Sequence, residues 1–259
     1  MINLYDVNST NTLLAPDRWL GRMLRLPLRL IPRSMTMPIL QGPGRGFRWI
    51  VGSYNHGCWL GSYEFEKQVV LKGLVTPGDV VYDVGAHVGF FTLILARLVG
   101  ATGMVYSFEP LDRNYRYLLE HIALNGLTNV VAVRAAIGPR TGVGQFQAGP
   151  HSATGKLTPE GSVECPVYNL LEYIASYQLK PPTLIKMDIE GEEARVVPSI
   201  LDYIAPRRVK LLVSTHSDEI TSDLAGMLAS RGYRVTPLQW AGRGRTNSIE
   251  SATLLLATQ

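Results

Sequence analysis

Residues 79–93, DVVYDVGAHVGFFTL, decide how the rest of the chain is read. Val80, Val81 and Tyr82 form a β-branched and aromatic run that predicts a buried strand, and the run breaks at Asp83 into a turn carrying Gly85 and Gly89. Phe90, Phe91, Leu93, Ile94, Leu95, Leu98 and Val99 are too long an apolar stretch for a second strand. With Gly100 as a stop, they predict a helix. Strand, glycine turn and helix make the first half of a βαβ unit, where the turn brings bare backbone to a ligand and the helix N-terminus offers free N–H groups.

Glycine spacing narrows the ligand. Gly85-Ala86-His87-Val88-Gly89 is neither a dinucleotide fingerprint nor a P-loop, and no Lys-Ser/Thr follows to hold a triphosphate. Small residues at 85, 86 and 89 leave room for an uncharged ribose or an amino-acid moiety, and Asp83 at the strand end reaches an ammonium group directly or through water. That combination suits S-adenosylmethionine, although the glycines could simply close a βα turn. A second strand, Met104–Phe108, ends in Glu109-Pro110, and an acid at this position accepts hydrogen bonds from a ribose diol. Asp112 is expected to cap the next helix, with Tyr115, Leu118, Leu119, Ile122 and Ala123 as its inner stripe; a third strand follows at Val130–Val133.

A fourth strand at 184–189 ends in Asp188, Glu190 and Gly191, and a fifth at 210–214 leads to His216. Burying a carboxylate directly after an apolar strand is costly without partners, so Asp188 reads as functional. Glu192 and Glu193 need no more than the preference for acids in a first helical turn. His216 leaves the same sheet edge as Asp83, Glu109 and Asp188, and an unperturbed pKa near 6.5 suits it to proton abstraction, though a structural histidine is the competing reading. Strands at 234–238 and 252–258 close the chain as a hairpin. The expected fold is α/β: a seven-stranded, mostly parallel sheet with an antiparallel last strand and helices on both faces.

The 259 residues allow one large α/β domain or a domain with a short appendage, and 46% apolar content supports a core. A net charge of +4 is too mild to mark a nucleic-acid surface. Cys58 and Cys165 lie far apart without metal spacing, which fits free thiols in a reducing cytoplasm. No uninterrupted apolar run approaches the roughly 18 residues of a membrane span. Arginines at 18, 22, 25, 29 and 33 oppose Trp19, Leu20, Met23, Leu24, Leu28 and Ile31, predicting a basic amphipathic helix over 17–33, kinked at Pro27. It would sit peripherally on an anionic membrane or dock on a protein face. Residues 36–51 predict a hairpin around Gly42-Pro43-Gly44, and 64–74 a helix. His56 reads as a loop histidine. The Gly-, Pro-, Thr- and Ser-rich stretch 138–162 predicts a mobile lid or a hairpin with a flexible tip, with His151, Ser152 and Lys156 as acceptor contacts.

Three ordered pieces, VVYDVGAHVGFFTL (80–93), VYSFEPLDRNYRYLLEHIALN (105–125) and LIKMDIEGEEARVV (184–197), resemble the FkbM-type S-adenosylmethionine-dependent methyltransferases. The last resembles that family's K-[IM]-D-[VI]-E-G-x-E signature, and GCWLGSYEFE (57–66) the tract before its first strand. The resemblance implies a Rossmann-like class I methyltransferase domain over 63–259, preceded by an arm, amphipathic helix and hairpin over 1–62. It implies O-methylation of a hydroxyl on a sugar, glycolipid or secondary metabolite. S-adenosylmethionine would be held by Tyr63, Glu64, Asp83, Gly85, Ala86, His87, Gly89, Phe90, Glu109, Pro110, Asn114, Ala136 and Asp188, with His216, Asp188 and Glu190 acting on the acceptor. Two departures stand out: Asn169 replaces the family's usual aspartate, and Ala135-Ala136 offers no carboxylate to adenine. Asp188 and Glu190 could hold Mg²⁺, but two acids at i and i+2 are poor evidence, and no metal ligand is assigned. A tRNA methyltransferase and a catalytically silent cofactor-binding partner are the alternatives. The sequence Asp188-Ile189-Glu190-Gly191 lacks the Asn/Asp-Pro-Pro-aromatic turn of nucleobase amine methylases, so nucleic acid is the less favoured partner.

Overall fold

Gly42, at φ 75°, turns the chain between strands β1 (Thr36–Pro38) and β2 (Arg48–Ile50), which pair antiparallel with Thr36 opposite Ile50, as expected. The computed structural model describes residues 27–147, 155–238 and 253–258. Among these it separates into two compact units, the first ending at Leu74 and the second beginning at Val75. In the first unit, helices His56–Leu60 and Phe65–Leu74 follow the hairpin. Trp59 is a buried core aromatic whose Nε1 donates to His56 Nδ1 at 3.0 Å, so His56 opens a helix instead of lying in a loop. The amide of buried Gln68 ties Gly61 O and Tyr63 O together. Of the helix expected over 17–33, residues 17–26 lie outside the described residues, and Pro27–Leu30 form a single 3₁₀ turn.

The second unit is built on seven strands: β3 (Val80–Val84), β4 (Met104–Phe108), β5 (Val130–Val133), β10 (Leu184–Met187), β11 (Lys210–Thr215), β12 (Arg234–Leu238) and β13 (Thr253–Thr258). Their order is β12-β13-β11-β10-β3-β4-β5, with β13 inserted antiparallel between β11 and β12. All five residues of β3 and all four of β10 are buried, as parallel strands covered on both faces must be. Side chains alternate along a strand. Tyr82, Phe108, Ile185, Met187, Leu211 and Val213 thus share one face and pack with Val196, Val197 and Ile200 of helix Glu193–Ile204. The opposite face lies under helix Phe90–Val99.

Four short strands, β6 (Ala136–Ile137), β7 (Gly142–Gln147), β8 (Lys156–Leu157) and β9 (Val163–Tyr168), form a separate sheet ordered β6-β9-β7-β8. The stretch read as a lid or hairpin therefore contains a hairpin. His151 and Ser152 lie outside the described residues. Asn169 caps the following helix, Leu170–Ser176: its Oδ1 accepts from Leu171 N and Glu172 N, while its Nδ2 donates to Pro139 O at 3.0 Å. An aspartate could cap, but it could not donate to Pro139.

Helix Asp112–Leu124 departs from expectation. Leu111 is its N-cap, and Asp112 instead pairs with Arg116 and Arg134. Its buried residues are Asn114, Leu118 and His121, whereas Leu119 is exposed. The inner face carries two polar residues because each finds a buried partner, Glu109 for Asn114 and Val88 O for His121.

Candidate active site

Asp83, Ser107 and Lys186 stand level on adjacent strands, Asp83 opposite both of the others. Lys186 Nζ lies 2.9 Å from Asp83 Oδ1 and donates to Gly85 O at 2.9 Å. Thr92 Oγ1 donates to Asp83 Oδ2 at 2.7 Å and lies 3.0 Å from Ser107 Oγ. All four side chains are buried, and Asp83 is 0% exposed. The expectation that Asp83 reaches a ligand's ammonium group is thereby corrected. The strand runs on to Val84, which turns Asp83 beneath the helix, where Lys186 neutralises it and Thr92 fills its second oxygen.

The turn amides are engaged as well. Gly85 N and Ala86 N donate to Phe108 O at 3.1 and 2.9 Å, and His87 N donates to Glu109 Oε2 at 2.9 Å. These three amides fasten the turn to the end of β4. A Cβ on Gly85 (φ 79°) would stand 1.9 Å from Asp188 O, and one on Gly89 (φ 92°) 2.7 Å from Leu118 Cδ1. Both glycines are thus required by protein neighbours. Ala86 and Phe90 are buried beside them.

Glu109 terminates β4 as expected, followed by half-buried Pro110. Its Oε1 accepts from Leu111 N at 3.0 Å and Asn114 Nδ2 at 3.2 Å, and its Oε2 from His87 N. Asn114 is thus a positioning residue for Glu109. Burial pushes the Glu109 pKa up to about 7 against these three donors and the more distant Lys186 charge. A carboxylate offers about four lone-pair positions, so one on Oε2 remains for a ligand hydroxyl. Ala136 lies on β6, packed with Phe146, Cys165 and Val167. Tyr63 and Glu64 belong to the first unit, where Tyr63 meets the Tyr54 ring edge-on and Glu64 pairs with Lys67.

At the ends of β10 and β11, the residues expected to act on the acceptor do come together. His216 Nε2 lies 3.5 Å from Asp188 Oδ1 and 3.7 Å from Glu193 Oε1, and its Nδ1 lies 3.7 Å from Glu190 Oε2. Burial favours the neutral ring, but the adjoining Asp188, Glu190 and Glu193 carboxylates outweigh it and raise the His216 pKa to about 9. The near-neutral base expected from the sequence is therefore corrected to an imidazolium below that pH. Glu193, 0% exposed, accepts from Ile189 N at 2.6 Å and Gly191 N at 2.7 Å, which holds Glu190 at φ 57° and Gly191 at φ 107°. Burial raises its pKa.

A profile of the methyltransferase FkbM domain matches residues 83–235, which contain Asp83, Glu109, Lys186, Asp188, Glu193 and His216. The chain belongs to the FkbM methyltransferase family. Among its relatives, hexuronic acid methyltransferase AglP of Haloferax volcanii is 24% identical over 153 residues, covering 58% of this chain and 62% of its own. The 31-O-demethyl-FK506 methyltransferase FkbM of Streptomyces tacrolimicus is 25% identical over 201 residues, 63% of this chain and 75% of its own. The solved structure of methyltransferase FkbM from Methylobacillus flagellatus KT shares the fold, with a TM-score of 0.51 and 20% identity over 69% of this chain and 43% of that one. The chain thus spans less than two thirds of the Haloferax protein and under half of the Methylobacillus one.

Four contributors escaped the sequence reading: Lys186, Glu193, Thr92 and His121. Lys186 interrupts an apolar strand and Glu193 stands at the position ending the family signature, so both left a trace in the sequence. Thr92 and His121 left none. His121 is fully buried, with Nδ1 2.8 Å from Val88 O, and burial lowers its pKa to about 4, so the neutral ring supports the turn from behind.

Proposed function

We propose that this chain is an S-adenosylmethionine-dependent O-methyltransferase whose acceptor is a hydroxyl on a sugar, glycolipid or secondary metabolite. The observation that carries the reading is Glu109, a buried carboxylate fixed by three N–H donors at the C-terminal end of β4 with one acceptor position to spare. Beside it the sheet order reverses at β3, and open parallel sheets bind ligands outside the strand ends at such a switch point.

These residues fit S-adenosylmethionine. Glu109 would take a ribose hydroxyl, His87 and Asn114 would keep that carboxylate in place, and the turn 85–89 would lie alongside an uncharged moiety. The donor supplies a methyl group on a sulfonium, for which the acceptor oxygen must be aligned in line. His216, as an imidazolium, would orient the acceptor hydroxyl, and Asp188 or Glu190 would take up its proton, a contribution of about 10²–10⁴-fold. The acceptor class is supported by the two relatives, whose names state a hexuronic acid and 31-O-demethyl-FK506.

The test is transfer of labelled methyl by the full chain to a panel of uronic acids, neutral glycosides, macrolide alcohols and bulk tRNA. An alcohol should be labelled, and Asp188→Asn or His216→Ala should lower turnover by about 10²–10⁴-fold while donor affinity by calorimetry changes little. Label in tRNA would replace this reading with an RNA methyltransferase. Donor binding with no turnover on any acceptor would indicate a silent partner.

A further inference from the structure

We propose that Asp188, Glu193 and His216 form a site for one divalent first-row transition-metal cation, with Glu190 orienting the histidine from behind. One ligand atom from each of the three residues lies within 4.8 Å of the others. The separations themselves carry the inference. His216 Nε2 stands 3.5 and 3.7 Å from its two carboxylate oxygens, and neither ring nitrogen makes a hydrogen bond although both are buried. A ring nitrogen hydrogen-bonded to a carboxylate would stand about 2.7–3.2 Å from it. Ligands that share a tetrahedral cation at about 2.1 Å stand about 3.4 Å apart, close to what is found.

The surroundings point the same way. Glu193 is sealed from solvent and held by two backbone N–H groups, so its carboxylate cannot swing away, and Oε1 keeps a lone pair beyond the bond from Ile189 N. Asp188 and His216 are partly open, leaving a way in for the cation and coordination positions for water or a ligand oxygen. Glu190 faces Nδ1, the ring nitrogen left over when Nε2 binds a metal; such a carboxylate fixes the tautomer and strengthens the ligand. One imidazole with two carboxylates suits Zn²⁺, Mn²⁺ or Fe²⁺ better than Mg²⁺ or Ca²⁺, which prefer all-oxygen shells.

Cation binding is measurable without methyl donor or acceptor, so its outcome is independent of the proposed methyl transfer. Untagged full chain, stripped with chelator and dialysed, is titrated with Mn²⁺ and with Zn²⁺ by calorimetry, and ring-proton resonances of His216 are followed as Mn²⁺ is added. The expected result is one cation per chain with His216 signals broadened first. Affinity should fall at least a hundredfold in Asp188→Asn and His216→Ala, and about ten- to a hundredfold in Glu190→Gln. If a variant does not fold, broadening in the wild-type chain decides. Stoichiometric binding that leaves His216 unbroadened, undiminished binding in folded His216→Ala, or no uptake at millimolar cation overturns the proposal.

Discussion

At the scale of single residues, two buried charges are handled in opposite ways. Asp83 is neutralised by Lys186 across one strand spacing, so removing one partner leaves an uncompensated charge in the core. Lys186→Met should cost about 3–5 kcal/mol in denaturant unfolding, and Asp83→Leu combined with Lys186→Met should recover most of it. Equal stability of the single variant and wild type would contradict the pairing. Glu109 has only hydrogen bonds and a distant Lys186 to oppose burial, and its pKa rises to about 7. A ligand hydroxyl donates more strongly to the anion than to the acid, so donor affinity should be highest above pH 7 and fall as pH drops below it. Glu109→Gln should remove that dependence and weaken binding by about ten- to a hundredfold, the worth of a charge-assisted hydrogen bond. Calorimetry between pH 5.5 and 8.5 checks both; a flat wild-type profile would count against the role of Glu109.

At the scale of elements, legibility followed burial chemistry. Strands β3, β4, β5, β10 and β11 are apolar runs, and hydropathy alone locates them. Helix Asp112–Leu124 was found, but its inner face was misplaced because Asn114 and His121 point inward to partners that no periodicity reveals. Strands β7 and β9 were invisible as a sheet, since GVGQFQ and VECPVY each bury few residues and carry Gly or Pro. The glycine turn is legible in the sequence, but the protein neighbours that demand Gly85 and Gly89 are not, because they come from segments distant in sequence. Gly85→Ala should therefore be severe: it combines a left-handed φ with a collision against Asp188 O, displacing the turns after β3 and β10 together. Loss of cooperative unfolding is expected in a thermal melt, and a native-like midpoint would refute it. Asn169→Ala should lose about 0.5–2 kcal/mol with its cap, and Asn169→Asp less, because only the Pro139 contact goes.

At the scale of the molecule, seven strands with a terminal hairpin were readable because each strand is punctuated by its own turn. The carboxylate–histidine group was readable because Asp188 and His216 follow neighbouring parallel strands. What the sequence hid was which carboxylates the protein engages internally: Asp83 pairs with Lys186 and Thr92, and Glu193 fastens the turn after β10, whereas Glu109, Asp188 and Glu190 retain some exposure or acceptor capacity. No helix among the described residues is long and apolar enough to cross a membrane. The central claim is that a nucleoside sits on Glu109 with its reactive end towards Asp188 and His216. A crystal structure of the full chain with S-adenosylhomocysteine tests it directly. The account predicts a ribose hydroxyl within hydrogen-bond distance of Glu109 Oε2, Asp83 still paired with Lys186, and the sulfur facing the ends of β10 and β11. A ribose held elsewhere, with Glu109 untouched, would contradict it.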